Sequence, residues 1–290
     1  GRVQKALLPV LAQSDYIELA TVYRPLGYVG GDFYYLDWRY DGTLLRGFLV
    51  DVTGHGFGTA LHTASLHVLL REVNEMDIPL SSSLSWLNRR ALEYFDEGIF
   101  AGALAFEIDL LTRQLRWTCA GIPKIWVAAK AQQGALNCPG MCLGILDEET
   151  FDTNMMEIDV GDAMYFMTDG MSDLLIKNSE LPLANFPKMV KEIKKMSVSK
   201  ACRDDATAIC IRIKALPRLS IRQDGWPRTL NFSGYGDYQR FKSEVARILT
   251  EATGESHSLK EVAVNEALAN AMECRDGVTR QHKASLRFNK

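Results

Sequence analysis

Short apolar runs, each closed by an acid or a glycine-rich break, recur along the first 214 residues. IELATVYRP (17–25) and LLRGFLVDV (44–52) read as strands, the second nearly continuous in apolar character. IFAGALAFEID, QLRWTCAGI and KIWVAA predict three more between 99 and 129. DAMYFMTDG (162–170) predicts a strand that ends in an acid and a glycine. ATAICIRIK (206–214) alternates at Ile209, Ile211 and Ile213. The period changes to that of a helix in TALHTASLHVLLREV, with Leu61, Ala64 and Val68 on one face. It does so again in SLSWLNRRALEYF, with Leu84, Leu87, Ala91 and Phe95. PKMVKEIKKM predicts a further helix with Met189, Ile193 and Met196 inward and its lysines outward. Many strands with a few helices predict a layered α+β fold.

The strand pattern stops near Pro217. A turn-rich stretch, RQDGWPRTLNFSGYGD, follows, and then ESHSLKEVAVNEALANAMEC predicts an amphipathic helix opened by a Ser258–Glu261 capping box. The 290 residues thus divide into a large first part and about 75 residues, few for a self-sufficient domain. Composition narrows the function classes. A net charge of −3 gives no reason to expect a polyanion partner, so nucleic acid is not expected. No apolar run approaches the roughly 18 residues of a membrane span. The six cysteines are scattered except for Cys138 and Cys142. That pattern suits reduced thiols in a cytoplasm better than a disulfide framework or a zinc knuckle.

Four aspartates share one setting. Asp32 follows two glycines, Asp51 precedes TGHG, Asp169 closes MTDG, and Asp204 lies just before the last strand. One turn aspartate needs no function, because the side chain suits turns. Four at strand ends would converge if the strands share a sheet system. Carboxylates about 4 Å apart repel by roughly 4 kcal/mol at an effective dielectric near 20, so protons or cations must neutralise them. Hard oxygen donors of this kind suit Mg²⁺ or Mn²⁺ rather than zinc.

GGDFYYLD, VDVTGHG, YFMTDGMSD and RDDATAIC, in this order and at these separations, resemble the metal-dependent (PPM, type 2C) protein phosphatases. The likeness is to their bacterial SpoIIE/RsbU-like branch. CAGIPKIWV and the GILDEETF region lie between these motifs, and VQKALLP resembles the end of the linker helix that precedes such domains. The resemblance implies a central β-sandwich flanked by helix pairs over residues 1–214. It implies catalytic positions for Asp32, Asp51 and His55, the histidine as proton donor to the leaving serine oxygen; a turn-packing histidine is the plainer reading of His55. It implies two Mn²⁺ or Mg²⁺ ions held by Asp32, Asp51, the Val52 carbonyl, Asp169 and Asp204, with Asp173, Asp205 and Gly31 as outer-sphere or third-metal candidates. Water activated by the ions would attack phosphorus without a phosphoenzyme. Where the family often has Ala-Gly-His-Pro, this chain reads Ala120, Gly121, Ile122, Pro123.

EVAVNEALANAME places Glu266 and Asn270 on one helical row. The stretch resembles the N-box of the histidine-kinase-like ATPase fold, in its anti-sigma serine kinase branch, so residues 215–290 are expected to be a partial α/β fragment of such a domain. The nucleotide-binding pair would be Glu266 and Asn270. The Asp-x-Gly-x-Gly box and glycine-rich lid are absent, so this fragment is not expected to bind ATP. The implied substrate is a phosphorylated anti-sigma-factor antagonist in a cytoplasmic partner switch. A receiver domain before residue 1 is expected, as in two-component signalling, and the resemblance leaves room for a homodimer. Two other readings stand beside it: a catalytically weak phosphatase-fold binding module, and a bifunctional regulator dominated by its serine kinase.

Overall fold

The computed structural model describes residues 8–9, 14–27, 30–40, 42–54, 57–176 and 181–217. Ten strands form two five-stranded antiparallel sheets. The first sheet has the order β1-β10-β9-β6-β7, built from β1 (Ile17–Arg24), β6 (Lys124–Ala128), β7 (Gln133–Asn137), β9 (Ala163–Met167) and β10 (Ala206–Ile213). The second has the order β2-β3-β4-β5-β8, from β2 (Asp32–Arg39), β3 (Leu44–Val52), β4 (Ala101–Asp109), β5 (Gln114–Ala120) and β8 (Thr153–Glu157).

Strand periodicity explains both faces of the first sheet. Met164, Phe166, Ile209, Ile211 and Ile213 enter the core shared with the second sheet, where Leu45, Leu49, Leu104 and Phe106 meet them. The Phe106 and Phe166 rings stack across this core with centroids 4.0 Å apart. Gly47 makes room for it, since a Cβ there would lie 2.2 Å from the Phe106 ring. The intervening residues Ala163, Tyr165, Met167, Ala206, Ala208 and Cys210 form a second apolar layer on the outer face. Burial on both faces leaves no polar face on β9, whose five residues are all buried.

Two helices cover that outer layer. α3 (Asp169–Ile176) and α4 (Phe186–Ser197) bring Met171, Leu175, Phe186, Met189 and Ile193 against it. Asn185 caps α4, its side chain accepting from the Lys188 N–H. On the far side, α1 (Phe57–Glu75) packs over β2 and β3, and α2 (Leu80–Tyr94) over β4 and β5. The expected α+β sandwich flanked by helix pairs is the observed architecture.

The apolar row that marks α1 in the sequence is not the face it buries. Leu61 and Val68 are 57% and 63% exposed, and the buried face carries Thr59, Thr63, Leu66, Leu70, Val73 and Asn74. Asn74 is tied down by donating to Asp37 Oδ2 at 2.9 Å. Buried Arg46 on β3 likewise meets the helical layer, donating to Ser83 Oγ on α2 at 2.6 Å. Among the described residues no helix is long and apolar enough to cross a membrane. Of the expected C-terminal fragment, residues 215–290, all but 215–217 lie outside the described residues, with Glu266 and Asn270 among them.

Candidate metal centre

One end of the sandwich gathers the aspartates. Antiparallel pairing of β2 with β3 sets Asp32 directly opposite Asp51, at the first residue of one strand and the next-to-last residue of the other. The second sheet therefore supplies two carboxylates from neighbouring strand ends. The first sheet supplies the rest: Asp169 opens α3 just after β9, and Asp204 and Asp205 immediately precede β10.

Glycines permit the close approach. A Cβ on Gly31 would lie 2.2 Å from the Val52 carbonyl oxygen, and one on Gly170 would lie 2.1 Å from the Asp205 carbonyl oxygen. Any side chain at either position would push these segments apart. The Val52 N–H donates to Gly31 O at 3.2 Å, fixing the two strand ends together. Thr53 locks the next step of the chain, exchanging hydrogen bonds with the Phe100 backbone at 2.9–3.1 Å.

The electrostatics are those of crowded carboxylates. Burial pushes Asp51 up to about 7, with Asp169, Asp204 and Asp205 adding to it. Burial, and then Asp51, hold Asp32 well above the ordinary carboxylate range, while the Thr168 hydroxyl draws it partly back. Asp169 is raised by burial and by Asp204, with Asp173 a smaller contributor. Asp51 and Asp169 lie close enough for each to shift the other's titration.

Asp205 has a different part. Its Oδ1 accepts from the Leu26 N–H at 2.6 Å and its Oδ2 from the Gly31 N–H at 2.7 Å. Both oxygens are therefore spent on holding the chain that leads into Asp32. Asp173 lies on α3, beside a cleft of about 230 Å³ lined also by Asp169, Gly170, Leu174, Ala201, Arg203 and Asp204. His55 lies outside the described residues. The sequence reading passed over Thr168, whose hydroxyl donates to Asp32 Oδ2 at 2.7 Å. Its signal was there: a hydroxyl ending a strand of wholly apolar residues, AMYFM. Cys142 was passed over as well. It is half-buried, and its thiol is pushed up by burial and then by Asp51.

These residues fit divalent cations. The donors are hard oxygens, and Asp32 Oδ1 is buried without a hydrogen-bond partner. The Val52 carbonyl is kept uncovered by Gly31. Among the described residues, no group of three or more His, Cys, Asp or Glu stands in a metal-holding arrangement.

Two stacked antiparallel sheets, helix pairs on their outer faces and this end-on aspartate cluster define a PP2C-type (PPM) phosphatase fold. The phosphatase domain of SpoIIE from Bacillus subtilis, solved with a fragment of its regulatory domain, superimposes with a TM-score of 0.57 at 17% identity. The match covers 68% of this chain and 64% of that one. The RsbU and RsbW domains of Rv1364c from Mycobacterium tuberculosis give a TM-score of 0.56 at 18% identity, over 94% of this chain and 78% of that one. A sequence profile described as Stage II sporulation protein E (SpoIIE) matches residues 41–214, and the chain belongs to that family. It is 22% identical over 231 residues to the phosphoserine phosphatase RsbP, and 22% identical over 195 residues to the phosphoserine phosphatase RsbU, both of Bacillus subtilis. The matches cover 73% and 66% of this chain but only 56% and 58% of those relatives.

Proposed function

We propose that the chain is a Mn²⁺- or Mg²⁺-dependent phosphoserine/phosphothreonine protein phosphatase. The observation that carries this reading is the convergence of Asp32 and Asp51 from one sheet with Asp169 and Asp204 from the other. Asp32, Asp51, Asp169, Asp204 and the Val52 carbonyl would hold the ions. A pair of divalent cations supplies Lewis acidity, offsetting negative charge on phosphoryl oxygens and making water a competent nucleophile near neutral pH.

The chain's own residues prepare for that chemistry. Burial raises Asp51 to about 7, so a proton competes with a cation for its carboxylate near neutral pH. Asp205 holds the Gly31 segment by its N–H, so that Asp32 enters the cluster from a fixed backbone. The cleft beside Asp169 and Asp204 gives a phosphorylated side chain a route in, with Arg203 on its wall as a guanidinium suited to phosphoryl oxygens. His55 would donate a proton to the leaving serine oxygen.

The substrate we assign is a small phosphorylated anti-sigma-factor antagonist, in a cytoplasmic partner switch. The likeness to RsbP and RsbU, both phosphoserine phosphatases, supports this assignment. We assign residues 215–290 to a histidine-kinase-like ATPase fragment of the anti-sigma serine kinase branch, with Glu266 and Asn270 as its N-box pair. The Rv1364c match, which runs over 94% of this chain, supports that assignment.

The test is release of phosphate from a phosphoserine peptide with Mn²⁺ and with EDTA. Turnover should need the ion. Asp169→Asn should lower it by more than about 100-fold, beyond the loss typical of an outer-sphere partner. Turnover that persists in EDTA, or unchanged turnover in Asp169→Asn, would rule the reading out.

A further inference from the structure

Asp32 has one carboxylate oxygen engaged and the other unengaged. Thr168, wholly buried at the end of β9, engages the first. Its hydroxyl is not free to turn. The Thr207 backbone N–H donates into Thr168 Oγ1 at 3.1 Å, which occupies a lone pair. The hydroxyl has one proton to give, and Asp32 Oδ2 stands at 2.7 Å. The competing acceptor, Thr207 O, is at 3.5 Å and already receives the Thr168 N–H at 3.1 Å. The backbone of β10 thus sets the rotor, and the rotor sets the carboxylate. Asp32 Oδ1 is left buried without a hydrogen-bond partner, a cost that a bound cation would offset.

We infer that Thr168 is a positioning residue that holds Asp32 by Oδ2 and reserves Oδ1 for a divalent cation. The inference rests on the metal-dependent reading above. Thr168 and Thr207 belong to the first sheet and Asp32 to the second, so this hydrogen bond also registers one half of the centre against the other. Partners of this outer-sphere kind typically change metal affinity by about 10–100-fold.

The experiment compares wild type, Thr168→Val and Thr168→Ser by calorimetric titration with Mn²⁺ and by thermal melts with and without the ion. Valine keeps the shape and removes the proton, whereas serine keeps the proton. Thr168→Val should weaken Mn²⁺ binding about 10–100-fold and shrink the Mn²⁺-induced rise in melting temperature, and Thr168→Ser should restore both. Thr168→Ala carries the same comparison if valine prevents folding. A purely structural threonine would lower the melting temperature equally with and without Mn²⁺ and leave the affinity unchanged, which overturns the inference alone. A wild-type chain that shows no Mn²⁺ response overturns the phosphatase reading and this inference with it.

Discussion

Asp51 concentrates the residue-scale physics of the centre. In the unfolded chain its carboxyl titrates near 4; in the fold it titrates near 7, raised mainly by burial. The folded state therefore binds more protons than the unfolded state between these values, and stability must fall as pH rises through that window. Below about 4 both states are protonated and the group costs nothing; above about 7 the whole cost is present. Thermal melts of the EDTA-treated protein should show stability declining from pH 5 to pH 8, and Asp51→Asn should flatten the decline. The same proton competes with cations, so calorimetry should find Mn²⁺ bound more tightly at pH 8 than at pH 6. Gly31 makes a separate residue-scale prediction. Gly31→Ala sets a methyl against the Val52 carbonyl and should destabilise by about 1–3 kcal/mol, while weakening Mn²⁺ binding in the same titration. The aspartates were legible in the sequence because an acid that ends an apolar strand stands out. Asp205 was legible only as a neighbour of Asp204. Its role in holding Leu26 and Gly31 depends on contacts across more than 170 positions of chain, which no local pattern encodes.

Among the elements, α1 separates pattern from packing. Its apolar residues are spread around the helix, and the face that packs on β2 and β3 carries Thr59, Thr63 and Asn74 among its leucines. Periodicity marked Leu61, Ala64 and Val68 because they are apolar at helical spacing, yet the other face is buried. The distinction is measurable by chemical denaturation. Leu61→Gln and Val68→Gln should shift stability by no more than about 0.5 kcal/mol, whereas Leu66→Ala or Leu70→Ala should cost about 2–5 kcal/mol. For α2 and α4 the stripes hold at Leu84, Leu87, Ala91, Met189 and Ile193, all buried, while Phe95, just past the end of α2, and Met196 on α4 are only half-buried. The edge strands β7 and β8 escaped the sequence reading. Each is five residues long, QGALN and TNMME, with most positions exposed or half-exposed, and each is recognisable only by the ladder it joins.

For the molecule as a whole, the centre is a joint between two sheets. Asp32 and Asp51 come from one and Asp169 and Asp204 from the other, so a cation that binds all of them ties the layers together. Mn²⁺ at 100 times its dissociation constant should stabilise the fold by about 2.7 kcal/mol, seen as a higher melting temperature that EDTA reverses. The topology carries a further consequence. β1 and β10 pair along their whole length, Ile17 opposite Ile213 at one end and Arg24 opposite Ala206 at the other, and the Lys214 N–H donates to Tyr16 O beyond the first of these. Chain entering at Ile17 and chain leaving at Ile213 therefore run side by side, at the pole of the sandwich opposite the aspartates. Eight paired residues at about 3.3 Å each place that pole roughly 26 Å from the aspartates. The β1–β10 ladder is a continuous hydrogen-bonded path from that pole to Asp205, which holds the Leu26 and Gly31 N–H groups, so a change at the pole has a rigid route to the aspartates.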